Sequence, residues 1–181
     1  VELVLSEHKE KNISLLDVCT GSGCIAISLA KLGGYTDVTA LDLSEEALKV
    51  AERNARTHQV PIRFFQGDLF SALPQSEEKT FDVITSNPPY IPTAVIATLE
   101  PEVREHEPMQ ALDGGADGLD FYRKIIQGAK EHLCGGGQLF FEIGYDQGEA
   151  VQRLMEQAGY REVECVQDFA GLDRVVFGTL W

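Results

Sequence analysis

Hydrophobic and polar positions along the chain switch repeatedly between a period of two and a period of three to four, which predicts alternating strands and helices. Residues 1–11 are apolar and then charged, the pattern of a short leading helix. Residues 13–18 (ISLLDV) read as a first strand, and 23–32 as a small-residue helix closed by Gly33 and Gly34. Residues 38–43 give a second strand. Ser44 then has the character of an N-cap, with Glu45 and Glu46 suited to the positive end of the helix dipole. Ala47, Leu48, Ala51 and Ala55 supply the apolar face behind it. Residues 62–65 and 81–86 predict two more strands, 119–132 a helix ended by Gly135-Gly136-Gly137, and 138–143 a fifth strand. Asp146 and Glu149 have the spacing of a capping box ahead of Val151, Leu154, Met155 and Ala158, and Gly159 stops that helix. Two last strand-like runs, 160–169 and 174–181, are joined by residues 170–173 as a hairpin.

Alternating βα units predict an α/β fold with a mostly parallel open sheet, helices on both faces and a terminal antiparallel hairpin. With no repeats or low-complexity tracts, residues 1–181 read as one domain. The connection 87–118, rich in Pro, Glu and Gly, is far longer than such folds need, which marks it as functional or disordered.

Composition refines this picture. With 44% hydrophobic residues and 24% charged, 181 residues can fill one core and do not suit a disordered chain. Twenty-nine acidic against 15 basic residues give a net charge of −14. Lys and Arg form no run, so stable nucleic-acid binding is not expected. No apolar stretch approaches a membrane span and no signal peptide opens the sequence. Cys19, Cys24, Cys134 and Cys165 are scattered without a CxxC pair. Neither a metal site nor a disulfide framework is expected, and a reducing cytoplasm is the default compartment. The chain begins at Val1, as a fragment of something longer would.

The chemistry gathers where the predicted strands end. Asp17-Val18-Cys19-Thr20-Gly21-Ser22-Gly23 leads from the first strand into a helix, so glycines bring backbone N–H groups close to a ligand. Gly21-Ser22-Gly23-Cys24-Ile25-Ala26 also satisfies a G-x-G-x-x-A dinucleotide fingerprint, and Asp42, followed by Leu43, would bind a ribose diol under either reading. An acid at position 17 suits a cationic ligand better than a pyrophosphate, which favours S-adenosylmethionine with its sulfonium and ammonium groups; the alternative for Asp17 is an N-cap or loop hydrogen bond. Asp68 and Leu69 follow the third strand, where the adenine of such a cofactor would sit; a Gly-Asp turn former accounts for Asp68 equally well.

Asn87-Pro88-Pro89-Tyr90 follows the fourth strand and should face the cofactor. The Asn87 side-chain oxygen and the Pro88 carbonyl can each accept one N–H bond from a planar amino group, turning its lone pair toward an incoming methyl. Tyr90 offers a stacking face, and the prolines stiffen the segment.

These residues, with Pro101-Glu102-Val103, Glu107-Pro108, Ala111-Leu112, Gly114-Gly115, Asp117-Gly118-Leu119, the stretch Glu142-Ile143-Gly144-Tyr145-Asp146-Gln147-Gly148 and the stretch Ala170-Gly171-Leu172-Asp173-Arg174-Val175-Val176, make the chain resemble the protein-(glutamine-N5) methyltransferases that modify peptide chain release factors. The resemblance covers nearly the whole sequence. It implies a seven-stranded, Rossmann-like class I methyltransferase sheet, S-adenosylmethionine as donor, and the glutamine of a release factor's Gly-Gly-Gln loop as acceptor. Residues 19–23, Asp42, Asp68, Leu69 and Asn87 match the family's cofactor contacts, and Asn87, Pro88, Pro89 and Tyr90 its substrate clamp. Two departures stand out. Cys19 occupies the place of the family's first glycine, and the helical substrate-binding domain that precedes this region in the family is not in the chain.

An adenine-N6 DNA or RNA methyltransferase could use the same clamp, but would need a basic track for the strand. A non-catalytic interaction module leaves the intact Asp42 and clamp without a purpose, and a dinucleotide oxidoreductase leaves the Asn-Pro-Pro-Tyr segment unexplained. His8, His58, His106 and His132 fall on surface or loop segments without catalytic assignment. Glu107 is a candidate for positioning the long loop or the substrate, while Arg104 and Arg174 are expected in ion pairs. A monomer is expected.

Overall fold

The computed structural model describes residues 1–74, 80–100 and 108–181. Its strands are β1 (Ser14–Val18), β2 (Asp37–Asp42), β3 (Ile62–Gln66), β4 (Phe81–Ser86), β5 (Leu133–Glu142), β6 (Arg161–Gln167) and β7 (Asp173–Leu180). Among the described residues they form one seven-stranded sheet, ordered β3-β2-β1-β4-β5-β7-β6. Strands β1 to β5 are mutually parallel, and β7 is antiparallel to both of its neighbours, β5 and β6. The expected parallel sheet with a terminal antiparallel hairpin is therefore present. The helices are α1 (Glu2–Glu7), α2 (Cys24–Ser28), α3 (Glu45–His58), the short turns α4 (Thr93–Ile96) and α5 (Met109–Leu112), α6 (Asp120–Ala129) and α7 (Gly148–Gln157).

Strand alternation builds two cores from the same strands. Leu16, Ile84, Leu139, Phe141 and Val176 point to one face, where Tyr122, Ile125, Ile126, Val151 and Met155 of α6 and α7 cover them. Leu15, Val83, Phe140 and Phe177 point to the other, against Val4, Ala26, Leu29 and Tyr35. Near-continuous apolar strands are what burial on both faces demands. Helix α3 starts where expected: Ser44 Oγ accepts the Ala47 N–H at 3.2 Å, and Leu48, Ala51 and Ala55 are buried.

Three boundaries differ from the sequence expectation, each for a local reason. The glycines at 135–137 do not end a helix that runs to residue 132; α6 stops at Ala129, and the glycines lie inside β5. Pairing jumps there from Phe81↔Leu133 to Val83↔Gln138, a bulge in which Gly136 has φ +82° and a Cβ on Gly137 would lie 3.0 Å from the Cys134 carbonyl oxygen and 3.1 Å from that of Phe81. The helix after the glycine loop is α-helical only from Cys24 to Ser28, and its last turn, Leu29–Gly33, widens to a π-helix. Finally, Asp146 does not cap α7. Gln147 holds the N-cap position without a side-chain capping bond, and Glu149 pairs with Arg153 on the exposed face.

The chain winds outward from β1 through β2 to β3 and then returns to β4 on the other side of β1. The carboxyl ends of β1 and β4 thus diverge at a switch point, where open α/β sheets form their ligand crevice.

Candidate active site

Four loops rise from the carboxyl ends of β1, β2, β3 and β4 and enclose one cavity of about 1070 Å³. Cys19, Thr20, Gly21, Ser22, Asp42, Leu43, Asp68, Leu69, Asn87, Pro88, Pro89 and Tyr90 all line it. The structure thus brings together almost every residue singled out by sequence. Asp17 and Gly23 are the exceptions, since neither reaches the cavity wall.

Asp17 is 1% exposed, and its carboxylate turns inward. Thr20 Oγ1 donates to one oxygen at 2.6 Å and Thr85 Oγ1 to the other at 2.7 Å, which ties the glycine loop to β1 and β4. Burial raises its pKa from 3.8 to about 6, against the opposing pull of those hydroxyls and the Ala26 backbone. Gly23 serves packing instead: a Cβ there would lie 2.9 Å from Ile27 Cδ1 and 3.1 Å from the Ala51 Cβ, so its absence lets α2 and α3 approach.

The glycine loop has an unusual backbone. Gly21 has φ +57°, with nothing within 4 Å of where a Cβ would project, so its open side is free for a ligand. Cys19 also lies in the left-handed region, at φ +60°. This gives a reason for the family's glycine at that place, because a side chain is strained there. Burial, followed by the charge of Asp42, pushes the Cys19 thiol up to about 12 and leaves it without thiolate character. Leu69, with φ +49°, is a second left-handed non-glycine residue on the cavity wall. Such strain gathers at binding sites because the surrounding fold holds it in place.

Asp42 ends β2 and braces the loop: Oδ2 accepts the Gly21 N–H at 2.7 Å and Oδ1 the Ser44 N–H at 2.9 Å. Each oxygen keeps acceptor capacity for a ligand hydroxyl. The carboxylate of Asp68 is exposed and, among the described residues, has no partner. Asn87 is likewise exposed, and its side-chain amide is unpaired among the described residues. Pro88 and Pro89 are buried behind it, and Tyr90 is half-buried, its hydroxyl pKa raised by burial and then by the Glu142 charge.

Sequence reasoning assigned no site role to the rest of the wall. Ile25, Val50, Phe121 and Lys124 line the cavity, and so do Pro108, Gln110, Ala111 and Leu112, of which Pro108, Ala111 and Leu112 belong to the motifs that carry the family resemblance. Lys124 stands 5.5 Å above the Phe121 ring and is the lone cationic side chain among the described lining residues. A helical stripe on 119–132 was legible, but nothing in it distinguished a cavity-facing Phe from a core Phe. Glu107, Arg104 and His106, together with Pro101-Glu102-Val103, lie outside the described residues. Arg174 makes its expected ion pair, with Asp168 at 3.1 Å. His132 is half-buried and stacked on Phe70 at 4.9 Å, away from the cavity wall.

A family profile described as "Methyltransferase domain" matches residues 15–106, just over half of the chain. The chain belongs to this methyltransferase family. The matched span carries the glycine loop, Asp42, Asp68 and the Asn-Pro-Pro-Tyr segment. Among curated proteins, the methyltransferase domain is 46% identical over 167 residues to the release factor glutamine methyltransferase of Geobacter sulfurreducens, covering 92% of this chain and 58% of that protein. It is 42% identical over 180 residues to the protein of the same name from Thermodesulfovibrio yellowstonii, covering 97% and 63%. The chain thus spans about three-fifths of the length of these relatives. A methyltransferase from Pyrococcus furiosus has the same fold, with a TM-score of 0.73 at 19% identity over 98% of this chain and 80% of its own. The ribosomal protein L11 methylase of Lactobacillus delbrueckii subsp. bulgaricus gives 0.69 at 21% identity, over 99% and 77%. Among the described residues no helix is long and apolar enough to cross a membrane.

Proposed function

We propose that this chain is the catalytic part of an S-adenosylmethionine-dependent methyltransferase that modifies the side-chain amide nitrogen of the glutamine in the Gly-Gly-Gln loop of peptide chain release factors. The observation that carries the reading is a single cavity that joins the glycine loop, Asp42 and Asp68 to the Asn87–Tyr90 face. Relatives at 42–46% identity bear the name of that activity.

The residues fit the cofactor. The open side of Gly21 admits the backbone approach a ligand needs, Asp42 retains acceptor capacity for ribose hydroxyls, and the unpaired Asp68 with Leu69 and Phe121 suits an adenine. When bound, the cofactor supplies a methyl group on a positively charged sulfur. The protein's part is to hold the acceptor. An amide nitrogen is a weak nucleophile because its lone pair is delocalised into the carbonyl. Asn87 Oδ1 and the Pro88 carbonyl accept its two N–H bonds, Tyr90 packs on the amide plane, and the lone pair is thereby directed into the cavity. Orientation of this kind can supply on the order of 7–11 kcal/mol. The bound cofactor would give up the methyl and keep the sulfur–carbon bonding pair, and the amide proton would pass to water, so no residue of the clamp is required as a base.

A DNA or RNA adenine presents a similar amino group. Against that acceptor stand the net charge of −14 and the single lysine on the described wall, which leave little to track phosphates. A cytoplasmic location accords with the free cysteines and with a protein substrate of the translation machinery. The test gives the full-length protein labelled S-adenosylmethionine and three acceptors: a release factor, its Gly-Gly-Gln glutamine variant, and single-stranded DNA. Label on the first alone is expected, and label on DNA overturns the assignment.

A further inference from the structure

Gln147 lies outside the cavity and is 8% exposed, yet every polar atom of its side chain is used. Nε2 donates to the Tyr90 carbonyl at 2.9 Å and to the Gly118 carbonyl at 3.3 Å. Oε1 accepts the Gly144 N–H at 3.1 Å, and the Tyr122 hydroxyl, whose one proton has a closer acceptor in the Glu142 carbonyl at 3.1 Å, lies 3.4 Å away. The amide is fixed in this orientation, because a flip would set its oxygen against two carbonyls. One buried side chain therefore joins the acceptor segment, the glycine-rich loop at 114–118 and the turn between β5 and α7.

The surrounding glycines are shaped to this junction. A Cβ on Gly118 would lie 2.4 Å from the Tyr90 carbonyl oxygen and 2.7 Å from Gln147 Nε2. One on Gly144 would lie 2.9 Å from Gln147 Oε1, and one on Gly114 would lie 2.7 Å from the Tyr90 Cα. Beyond Tyr90 the chain is held by backbone bonds, Ile91 N–H to the Leu112 carbonyl at 3.0 Å and Gly114 N–H to the Ile91 carbonyl at 2.9 Å. Pro88 and Pro89 have no N–H to give. Among the described residues, Gln147 makes the only side-chain hydrogen bond to residues 87–90.

We infer that Gln147 is the positioning residue of the acceptor clamp: by holding the Tyr90 carbonyl it sets the Tyr90 ring and the Pro88 carbonyl in the geometry that orients the acceptor amide. The inference rests on the methyl-transfer reading for its kinetic consequence and on geometry alone for its structural one.

The test compares the full-length protein with Gln147→Leu, Gln147→Glu and Gly118→Ala, the last disturbing the same contact from the opposite side. Affinity for S-adenosylhomocysteine, read by calorimetry, stays within about threefold in Gln147→Leu, while kcat for the release factor falls by about tenfold to a hundredfold. In Gln147→Glu the ionised carboxylate faces two carbonyls, and only its protonated form can donate to Tyr90. Its kcat relative to the parent therefore climbs as pH falls from about 8 to about 5.5. Independently of turnover, 3-fluorotyrosine at position 90 gives a shifted or broadened fluorine signal in Gln147→Leu and in Gly118→Ala. An unchanged kcat, an equal loss of cofactor affinity and kcat, a pH profile parallel to the parent's, or an unmoved Tyr90 fluorine signal each overturn the inference. Should the parent methylate no acceptor, the methyl-transfer reading fails instead, and the fluorine measurement still decides the role of Gln147.

Discussion

Asp42 and Gly21 are joined across neighbouring strands, the carboxylate accepting the glycine N–H at 2.7 Å while its other oxygen accepts the Ser44 N–H at 2.9 Å. The acid assigned to the ribose thus also sets the loop that receives the rest of the ligand and the first turn of α3. Asp42→Asn puts an amide NH2 against one of the two N–H donors. Unfolding in urea should show a loss of about 1–3 kcal/mol. Cofactor affinity by calorimetry should fall by about tenfold or more, since a charge-assisted acceptor is lost. Retention of full affinity would remove Asp42 from the binding site.

Asp17 makes stability depend on pH in a defined direction. Its folded-state pKa is raised from 3.8 to about 6, chiefly by burial. Below the unfolded value the group is protonated in both states and adds no penalty. Between about 4 and 6 the unfolded chain releases the proton first, so stability falls as pH rises, and above that window the loss is complete at ~3 kcal/mol. Asp17→Asn cannot ionise. Urea titrations at intervals from pH 4 to pH 7 should show the variant's advantage over the parent growing across this window and holding at that amount above it.

Cys19 carries backbone strain of which the thiol is a bystander. At φ +60° a β-branched side chain is severely disfavoured, so Cys19→Val should lower stability by roughly 1–3 kcal/mol. Cys19→Gly relieves the left-handed strain but adds chain entropy to the unfolded state and forfeits packing of the Cys19 side chain against the main core. Its stability should stay within about 1 kcal/mol of the parent. Thermal melts of the two variants separate this account from one in which the thiol itself matters, which would make the glycine variant the worse of the two.

Much of this site was legible because its residues sit at strand ends, where a period-two run stops and a glycine, acid or proline follows. Asp42, Asp68 and Asn87 were found in that way, and each lines the cavity. Asp17 shows where such reasoning ends. Its type and position suited a cationic ligand, but a two-residue periodicity cannot say whether a carboxylate turns outward or is captured by hydroxyls at residues 20 and 85. The role of Gln147, named only as part of a family motif, was equally hidden, since its partners lie 57 and 29 residues away along the chain. The glycines of β5 misled for a related reason: a glycine triplet stops a helix or makes a bulge, and only the pairing with β4 decides which.

The most direct measurement of the central claim is the location of the transferred methyl group. Full-length protein, a release factor and S-adenosylmethionine with an isotopically labelled methyl are incubated, and the peptide containing the Gly-Gly-Gln loop is fragmented in a mass spectrometer. The account predicts the labelled methyl on the side-chain nitrogen of that glutamine, and an unmodified peptide when Asn87→Ala replaces the parent protein. A parent protein that binds the cofactor yet leaves that glutamine unmodified, or places the methyl on another atom, would contradict it.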